Sequence, residues 1–390
     1  LKLPLGFIKL TISLFTNRSN RVITADGLST PYKVKIGIDQ GKVISPLLWV
    51  IYIDPLLVAL NSTNTSPYSL LSSPSLPNVE LSTLAFMDDT TLVSSSLQGL
   101  VNMLNTANEF YLFNNTKINF NKAELITNHN PANPSLPLTS QHMDSFSFSL
   151  TNNSFTIKPL SPSESFRFLG VWFSIKHNAH FVRKQCHIEY RLFAHTLARK
   201  HLTAKQLVYL HNSVLLPKVE YRLMCTILSE SSCDLITAPM RKLIKHAGKF
   251  ANTLPTSFLY HEQGLNMTNL FHRHTQNHIA SFTARFNSPQ LSKIYHQRLL
   301  TLQDALWTPL HPFDITDFSV WTFTDSFKFD LICRTLHFAS LLNISFDRSL
   351  LPLPIICGSN YPLHKLFESK PKLFSSQIHL LQRINVRSYA

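Results

Sequence analysis

Leu84-Ala85-Phe86-Met87-Asp88-Asp89-Thr90-Thr91-Leu92-Val93 sets two adjacent carboxylates between two short apolar, β-prone runs. A tight strand–turn–strand over this stretch carries both acids to a hairpin tip. Hard oxygen donors in that position suit a divalent cation, because Mg²⁺ is held through one or two carboxylates together with substrate phosphates. The pair alone is a weak signal, since a turn stabilised by Asx hydrogen bonds has the same composition.

The surrounding sequence narrows the reading. Upstream stands Gly37-Ile38-Asp39-Gln40-Gly41-Lys42-Val43-Ile44-Ser45-Pro46-Leu47-Leu48, a loop opening an apolar helix over about residues 45–60. Downstream come Lys117-Ile118-Asn119-Phe120-Asn121-Lys122 and Phe168-Leu169-Gly170-Val171. In order and spacing these resemble successive motifs of the reverse transcriptase palm and its entry to the thumb. The patterns are the G-x-x-Q-G-x-x-x-S-P-L-L loop and helix, the x-x-D-D hairpin, N-x-x-K, and the F-L-G primer-grip strand. The type most resembled is the non-LTR, LINE-like retrotransposon. The resemblance covers about residues 1–175 well and the remainder loosely.

What the resemblance implies is an α+β fold, a partial right-hand palm of antiparallel sheet with helices. A mostly helical thumb and C-terminal region follow. The expected divisions are 1–175 for partial fingers and palm, 176–306 for a basic thumb-like domain, and 307–390 for a helical region of unassigned function. The implied reaction is template-directed addition of deoxynucleotides from their triphosphates to a primer 3′ end. Its metal is Mg²⁺, or Mn²⁺ in its place. Its partners are an RNA template and an RNA–DNA or DNA primer duplex.

By the same resemblance Asp88 is the direct metal ligand and Asp89 its less direct neighbour. Gln40 and Gly41 face the incoming nucleotide and templating base, as does Phe86. Lys122 neutralises or protonates the leaving pyrophosphate as a positioned general acid, while Asn119 orders its own turn. Phe168, Leu169 and Gly170 support the primer 3′ end. Lys42 stands where the family has a small or acidic residue, so a cation there either grips phosphate or obstructs it.

One expected part is missing. Two-metal chemistry uses carboxylates around ions roughly 3.5–4 Å apart, and the family takes the partner Asp from an earlier strand in an A-F-D-like context. The only earlier acids are Asp26, in the turn dipeptide Asp26-Gly27, and Asp39, inside the Gln-Gly motif. The chain therefore reads as a truncated polymerase with negligible activity by itself. The alternative is a catalytically dead nucleic-acid-binding remnant. An unrelated basic α+β protein would need four coincident motifs.

Charge supports a polyanionic partner. The formal net charge is +14, and residues 176–304 hold 17 Lys and Arg against 6 Asp and Glu, with 12 of the 18 His. Such concentration on one segment is the footprint of phosphate binding. Arg241, Lys245 and Lys249 recur at i, i+4 and i+8, with Lys242 and His246 on the next row, so a continued helix would present five donors to a nucleic-acid backbone. Arg183, Lys184, Arg191, Arg199 and Lys200 extend the basic character. A solvated helix face has the same pattern.

Five scattered cysteines without a C-x-x-C pair point to free thiols in an intracellular protein of nucleus or cytoplasm, not a secreted one. Pro46, Asp54 and Pro55 interrupt the apolar run at 43–60, which reads as a buried core helix rather than a membrane span. His272, His274 and His278, lacking Cys or acidic partners, read as bystanders rather than a metal site.

Periodicity places the other elements. A helix is expected over 4–16, with Phe7, Ile8, Thr11, Ile12 and Phe15 on one face. Residues 21–24 and 32–38 form a hairpin around Asp26-Gly27, in which Tyr32, Val34, Ile36 and Ile38 alternate with Lys33 and Lys35. Those lysines face either solvent or template phosphates. Residues 61–78 read as a surface loop. A helix over 96–113 presents Leu97, Leu100, Val101, Leu104 and Tyr111. Phe146–Leu150 and Phe155–Lys158 form a small extra hairpin. Further helices are expected at 180–200, 203–225 with a bend near Pro217, 231–252, 266–286, 290–306, 325–342 and 374–386.

Overall fold

The computed structural model describes residues 2–34, 37–38, 41–61, 66–70, 79–127, 146–150, 154–161, 164–174, 179–306, 310–318, 330–347, 361–362 and 388–389. The expected helix at 374–386, Lys35, Asp39 and Gln40 lie outside them. Helices and small antiparallel sheets make a mixed α+β architecture. The chain divides into two compact units, one of Leu1–Ser69, Glu80–Ala123 and Ser147–Thr156, the other of Leu70–Val79, Glu124–Phe146 and Ile157–Ala390.

The first unit opens with α1 (Leu5–Phe15). The sequence face is only half covered: Phe7, Thr11 and Phe15 are partly buried, whereas Ile8 and Ile12 are exposed. Two nested ladders follow. β1 (Ser19–Asn20) pairs with β4 (Tyr32–Lys33), and inside it β2 (Ile23–Thr24) pairs with β3 (Gly27–Leu28). The hairpin thus turns at Asp26-Gly27, and the expected apolar face is only partly covered: Tyr32 is 51% exposed, Val34 and Ile38 are half-buried, and Ile36 lies outside the described residues. A two-stranded ribbon by itself offers little surface to bury a whole face.

α2 (Ser45–Leu60) and α3 (Leu97–Phe113) form the core of this unit. Leu48, Ile53, Leu56 and Leu60 are buried on α2, but Leu47, Val50 and Val58 are exposed, so the expected core helix hides one face only. Opposite lie Met103 and Ala107 of α3, with Tyr52, Leu92, Phe110, Tyr111 and Ile118 around them. The buried stripe of α3 is Gly99-Met103-Ala107, a rotation away from the expected Leu97 row, and Leu97 is exposed. Ser96 caps α3 by accepting from Gly99 N–H. At the other end Asn115 is left-handed, and Thr116 N–H reaches back to Tyr111 C=O, closing a Schellman motif.

Between these helices, β5 (Tyr68–Leu70) pairs with β6 (Val79–Leu81), so the margins of the expected loop are strands. β7 (Thr83–Phe86) pairs with β8 (Asp89–Leu92). β9 (Phe146–Ser149) and β10 (Ser154–Ile157) form the expected extra hairpin.

The second unit begins its helical part after β11 (Ser165–Phe168) and β12 (Val171–Ser174). Its main core packs α4 (His180–Ala198) on α7 (Glu230–Ala247), burying Val182, Cys186, Tyr190 and Ala194 against Cys233, Ile236, Met240 and Ile244. The i, i+4 spacing on α4 and the i, i+3, i+7, i+11 spacing on α7 make these rows continuous. α5 (Ala204–Leu210) carries a Thr203–Gln206 capping box. It passes through a π-helical turn, His211–Leu215, into α6 (Leu216–Arg222). The wider turn lies just before Pro217, whose ring would otherwise meet a carbonyl four residues back. The π-helical turn stands where a bend near Pro217 was expected.

α8 (Thr256–Tyr260), unforeseen in the sequence reading, precedes α9 (Leu270–Phe286) and α10 (Ser292–Leu306). α11 (Leu331–Leu341) completes a second core with them, through Phe282, Leu299, Leu302, Ile332, Cys333 and Leu336. The expected division at 306 runs through this cluster. Cys186, Cys225, Cys233 and Cys333 are free thiols. No helix among the described residues is long and apolar enough to cross a membrane.

Candidate functional site

The carboxylate hairpin is the two-residue kind. Phe86 pairs with Asp89, leaving Met87 and Asp88 as the turn. Met87 has φ 53°, and a left-handed first central residue alone is the II′ pattern, whose twist suits the flanking strands. Glycine is the usual occupant, and a methionine there costs roughly 1–2 kcal/mol. Contacts over-determine the conformation. Trp49, in the second turn of α2, donates its indole N–H to the Met87 carbonyl at 2.8 Å. Sequence reading assigned nothing to Trp49 or Met87. The aromatic side chain following Gly41 by eight positions was the only available signal.

Trp49 begins a run of ring contacts through Tyr52 and Phe110 to Tyr111, with centroids 5.3, 5.4 and 5.6 Å apart. Tyr111 lies by the hairpin. Burial raises its phenol pKa, the Thr90 hydroxyl opposes this, and Tyr52 and Asp88 add to it. Thr90 Oγ1 itself is buried without a partner in hydrogen-bonding geometry. Its influence on Tyr111 is therefore one of proximity, not of a formed bond. Asp88 and Asp89 are exposed at the turn. Phe86, also exposed, stands across from Asp89.

The donor set fits a hard divalent cation in kind, two exposed carboxylates able to share it with phosphate oxygens. Among the described residues no group of three or more His, Cys, Asp or Glu gathers to hold a metal. Asp26 sits in the exposed β2–β3 turn.

Gly41 has φ +89°, and a Cβ built there would meet nothing within 4 Å. Conformation, not crowding among the described residues, demands glycine. Lys42 places its ammonium 5.5 Å from the Phe15 ring centroid. Arg18, at 4.6 Å from the same ring, also donates to the Gly37 carbonyl. Lys33 is exposed on β4 opposite Ser19.

Lys122 ends a 3₁₀ turn, Phe120–Lys122, and is exposed; among the described residues it makes no hydrogen bond or ion pair to the carboxylates. Phe120 fixes that turn by stacking on Phe155 at 4.1 Å. Asn119 contributes its backbone carbonyl, which accepts from Lys122 N–H at 3.1 Å, and no side-chain cap. Asn119 thus closes its turn through the backbone.

Phe168-Leu169-Gly170 is a hairpin corner rather than a strand interior. Leu169 and Gly170 have φ 48° and 82°, the I′ pattern. The Tyr221 hydroxyl of α6 donates to the Leu169 carbonyl, and a Cβ on Gly170 would come within 3.1 Å of Tyr221 Cε1. Gly170→Ala is expected to cost about 1–2 kcal/mol, read as a lower denaturation midpoint with unchanged m-value. An unaltered midpoint would show that the corner relaxes freely.

The five-donor row expected on α7 does not form. Arg241 turns inward, ion-paired to Asp234 at 2.6 Å and bonded to Thr237 and the Tyr260 hydroxyl. Lys245 is 9% exposed and donates to the carbonyls of Asn252 and Leu254 at 2.9 and 2.6 Å. Lys249 lies beyond the helix, left-handed at φ 55° in a Schellman turn where Phe250 N–H bonds Lys245 C=O at 2.9 Å. Lys242, His246 and Lys249 remain exposed.

The histidines also point inward. His274 Nε2 accepts from Leu228 N–H at 3.2 Å, and His278 Nε2–H donates to the Leu223 carbonyl at 3.2 Å. Burial pushes their pKa values down to about 3 and about 4. They are structural groups held neutral, and His272 is exposed.

Among curated protein sequences none matches this chain. Residues 6–173, which span the Gln-Gly loop, the carboxylate turn, the N-x-x-K turn and the F-L-G corner, match the reverse transcriptase (RNA-dependent DNA polymerase) family, and this part of the chain is similar to that domain.

Proposed function

We propose that residues 1–175 carry the nucleotide-transfer site of an RNA-directed DNA polymerase of the non-LTR retroelement type, a partial palm followed by a thumb-like helical part. The observation that carries the reading is the Trp49–Met87 hydrogen bond. It fastens the helix opened by the Gln-Gly loop to the Met87-Asp88 turn, so motifs distant in sequence share one rigid support. Asp88 and Asp89 would hold a divalent cation there. Bound Mg²⁺ would supply Lewis-acid stabilisation of charge developing on the reacting phosphate oxygens.

The chain's own residues supply the rest. Gly41, with no Cβ, lets a nucleotide come close to the backbone, with Gln40 beside it in sequence and Phe86 offering an apolar face. Lys122, exposed at the end of its turn, meets the charge of a leaving pyrophosphate or donates its proton. Lys33 and Lys35 meet template phosphates. The Phe168-Leu169-Gly170 corner supports the primer end. Of the cations expected to line α7 for a phosphate backbone, Lys242 and Lys249 are left exposed.

Neither earlier acid has the context of the partner carboxylate, so primer extension by these 390 residues is expected to be negligible. Metal binding tests the turn directly. Asp88→Asn is expected to weaken Mn²⁺ binding, followed by electron paramagnetic resonance, on the order of tenfold or more, because ligand charge sets affinity. Unchanged affinity would remove this turn from metal binding. Robust extension on an RNA template that survives Asp88→Asn would sink the whole assignment. Extension abolished by that substitution would overturn only the incompleteness of the site.

A further inference from the structure

The geometry points to α4, not α7, as the surface on which the helical unit meets a nucleic-acid backbone, through Arg183, His187, Arg191, His195 and Arg199. This rests on the polymerase reading for the identity of the partner. The five positions follow i, i+4 spacing, so they form one row with a cation or imidazole about every 6 Å along the axis, close to the step between phosphates of one strand. The buried row of the same helix, Val182-Cys186-Tyr190-Ala194, is one position earlier throughout. Its packing on α7 therefore fixes the basic row at the rim of the interface, directed outward.

Two further observations separate this row from an ordinary solvated face. Arg183, Arg191 and Arg199 are exposed, and among the described residues none of them pairs with an acid. The one acid on α4, Glu189, is already engaged by Lys218 and by Arg222, the latter at 3.0 Å. Partial burial opposes its ionisation, yet those two cations hold its carboxyl below the usual range. No carboxylate on α4 is left to neutralise the row. Alongside it run Lys184, Ile188, Leu192 and Lys200, also exposed. Ile188 and Leu192 offer apolar contact to sugar edges between the flanking lysines. On α7, by contrast, Arg241 and Lys245 are consumed within the fold.

The test uses the full 390-residue chain and a fluorescein-labelled RNA–DNA hybrid, with anisotropy read across a salt series. The triple variant Arg183→Gln, Arg191→Gln, Arg199→Gln is compared with Lys158→Gln, Lys205→Gln, Lys293→Gln, which removes the same charge from exposed sites elsewhere. The α4 variant is expected to bind about tenfold or more weakly and to lower the log–log salt slope by about 2–3, since each lost phosphate contact removes roughly 0.9 from it. The control is expected to change affinity less than about threefold. Circular dichroism confirms that both variants keep their helices. Equal losses in the two variants would overturn the proposal, because net charge rather than the α4 row would then govern binding. Absence of salt-dependent binding by the unaltered chain would instead overturn the polymerase reading itself, and the α4 surface with it.

Discussion

Lowering the pH from 7 to 5 is expected to destabilise the helical unit by about 6 kcal/mol, because three buried histidines resist protonation. His211, His274 and His278 have pKa values pushed by burial from 6.5 down to about 4, 3 and 4. Each is neutral in both states above pH 6.5. Below it the unfolded chain takes up protons that the native chain does not, so stability is full at neutral pH and falls between about pH 6.5 and 4. At pH 5 each histidine accounts for roughly 2 kcal/mol, and the sum approaches the whole stability of an ordinary domain.

Burial is the main cause of the resistance, and the hydrogen bonds show which neutral tautomers it protects. Asn212 Oδ1 accepts from Thr268 N–H at 2.9 Å, and its amide nitrogen donates to the Asn266 carbonyl at 3.0 Å. Oδ1 is thus an acceptor, His211 Nδ1–H donates to it at 2.9 Å, and His211 Nε2 is left to accept from the Tyr190 hydroxyl at 3.2 Å. A second proton on His211 would reverse that last bond, turning the Tyr190 hydroxyl hydrogen away from its acceptor, and would place a charge inside the core. His274 likewise accepts a backbone N–H through Nε2. Glu189 works in another window, its lowered pKa placing its loss below about pH 4.5. Chemical denaturation monitored by circular dichroism at half-unit steps checks the slope, and equal stability at pH 7 and pH 5 would refute the histidine argument.

Lys245→Met is expected to destabilise the same unit by about 2–4 kcal/mol while leaving the salt slope of nucleic-acid binding unchanged. Methionine keeps the apolar stem but abandons the carbonyls of Asn252 and Leu254, which the ammonium now bonds. Hydrogen bonds to a charged group contribute roughly 1.5–3 kcal/mol, and an orphaned buried acceptor is costly. The cation also sits in the last turn of α7, where it complements the helix dipole. The midpoint of urea unfolding measures the loss. A variant of full stability whose binding slope falls by about one would instead make Lys245 a phosphate contact.

Much of this was legible in the linear order of residues. The Asp88–Asp89 hairpin, the helix after Gln40-Gly41, the Ser96-capped helix and the irregular helical turn before Pro217 all follow from local chemistry. Turn residues, caps and proline act over a few positions, and the sequence contains those positions whole.

Side-chain fate was not legible. Arg241, Lys245 and Lys249 obey a helical repeat, yet one is paired inward, one is buried and one lies past the helix end. Periodicity says which residues share a face, but not which face another element covers, nor where a left-handed residue stops the helix. The buried stripe of α3 shifted from Leu97 to Met103 for the same reason. Trp49 and Met87 are 38 positions apart, and no spacing rule links an indole N–H to a turn carbonyl at that separation. The sequence alone therefore determined the kinds of element and the chemistry carried at their turns, because those depend on neighbours along the chain. Only the tertiary structure decided which cations face solvent, which histidines stay neutral and what braces the carboxylate turn, because burial depends on contacts between residues far apart in the chain.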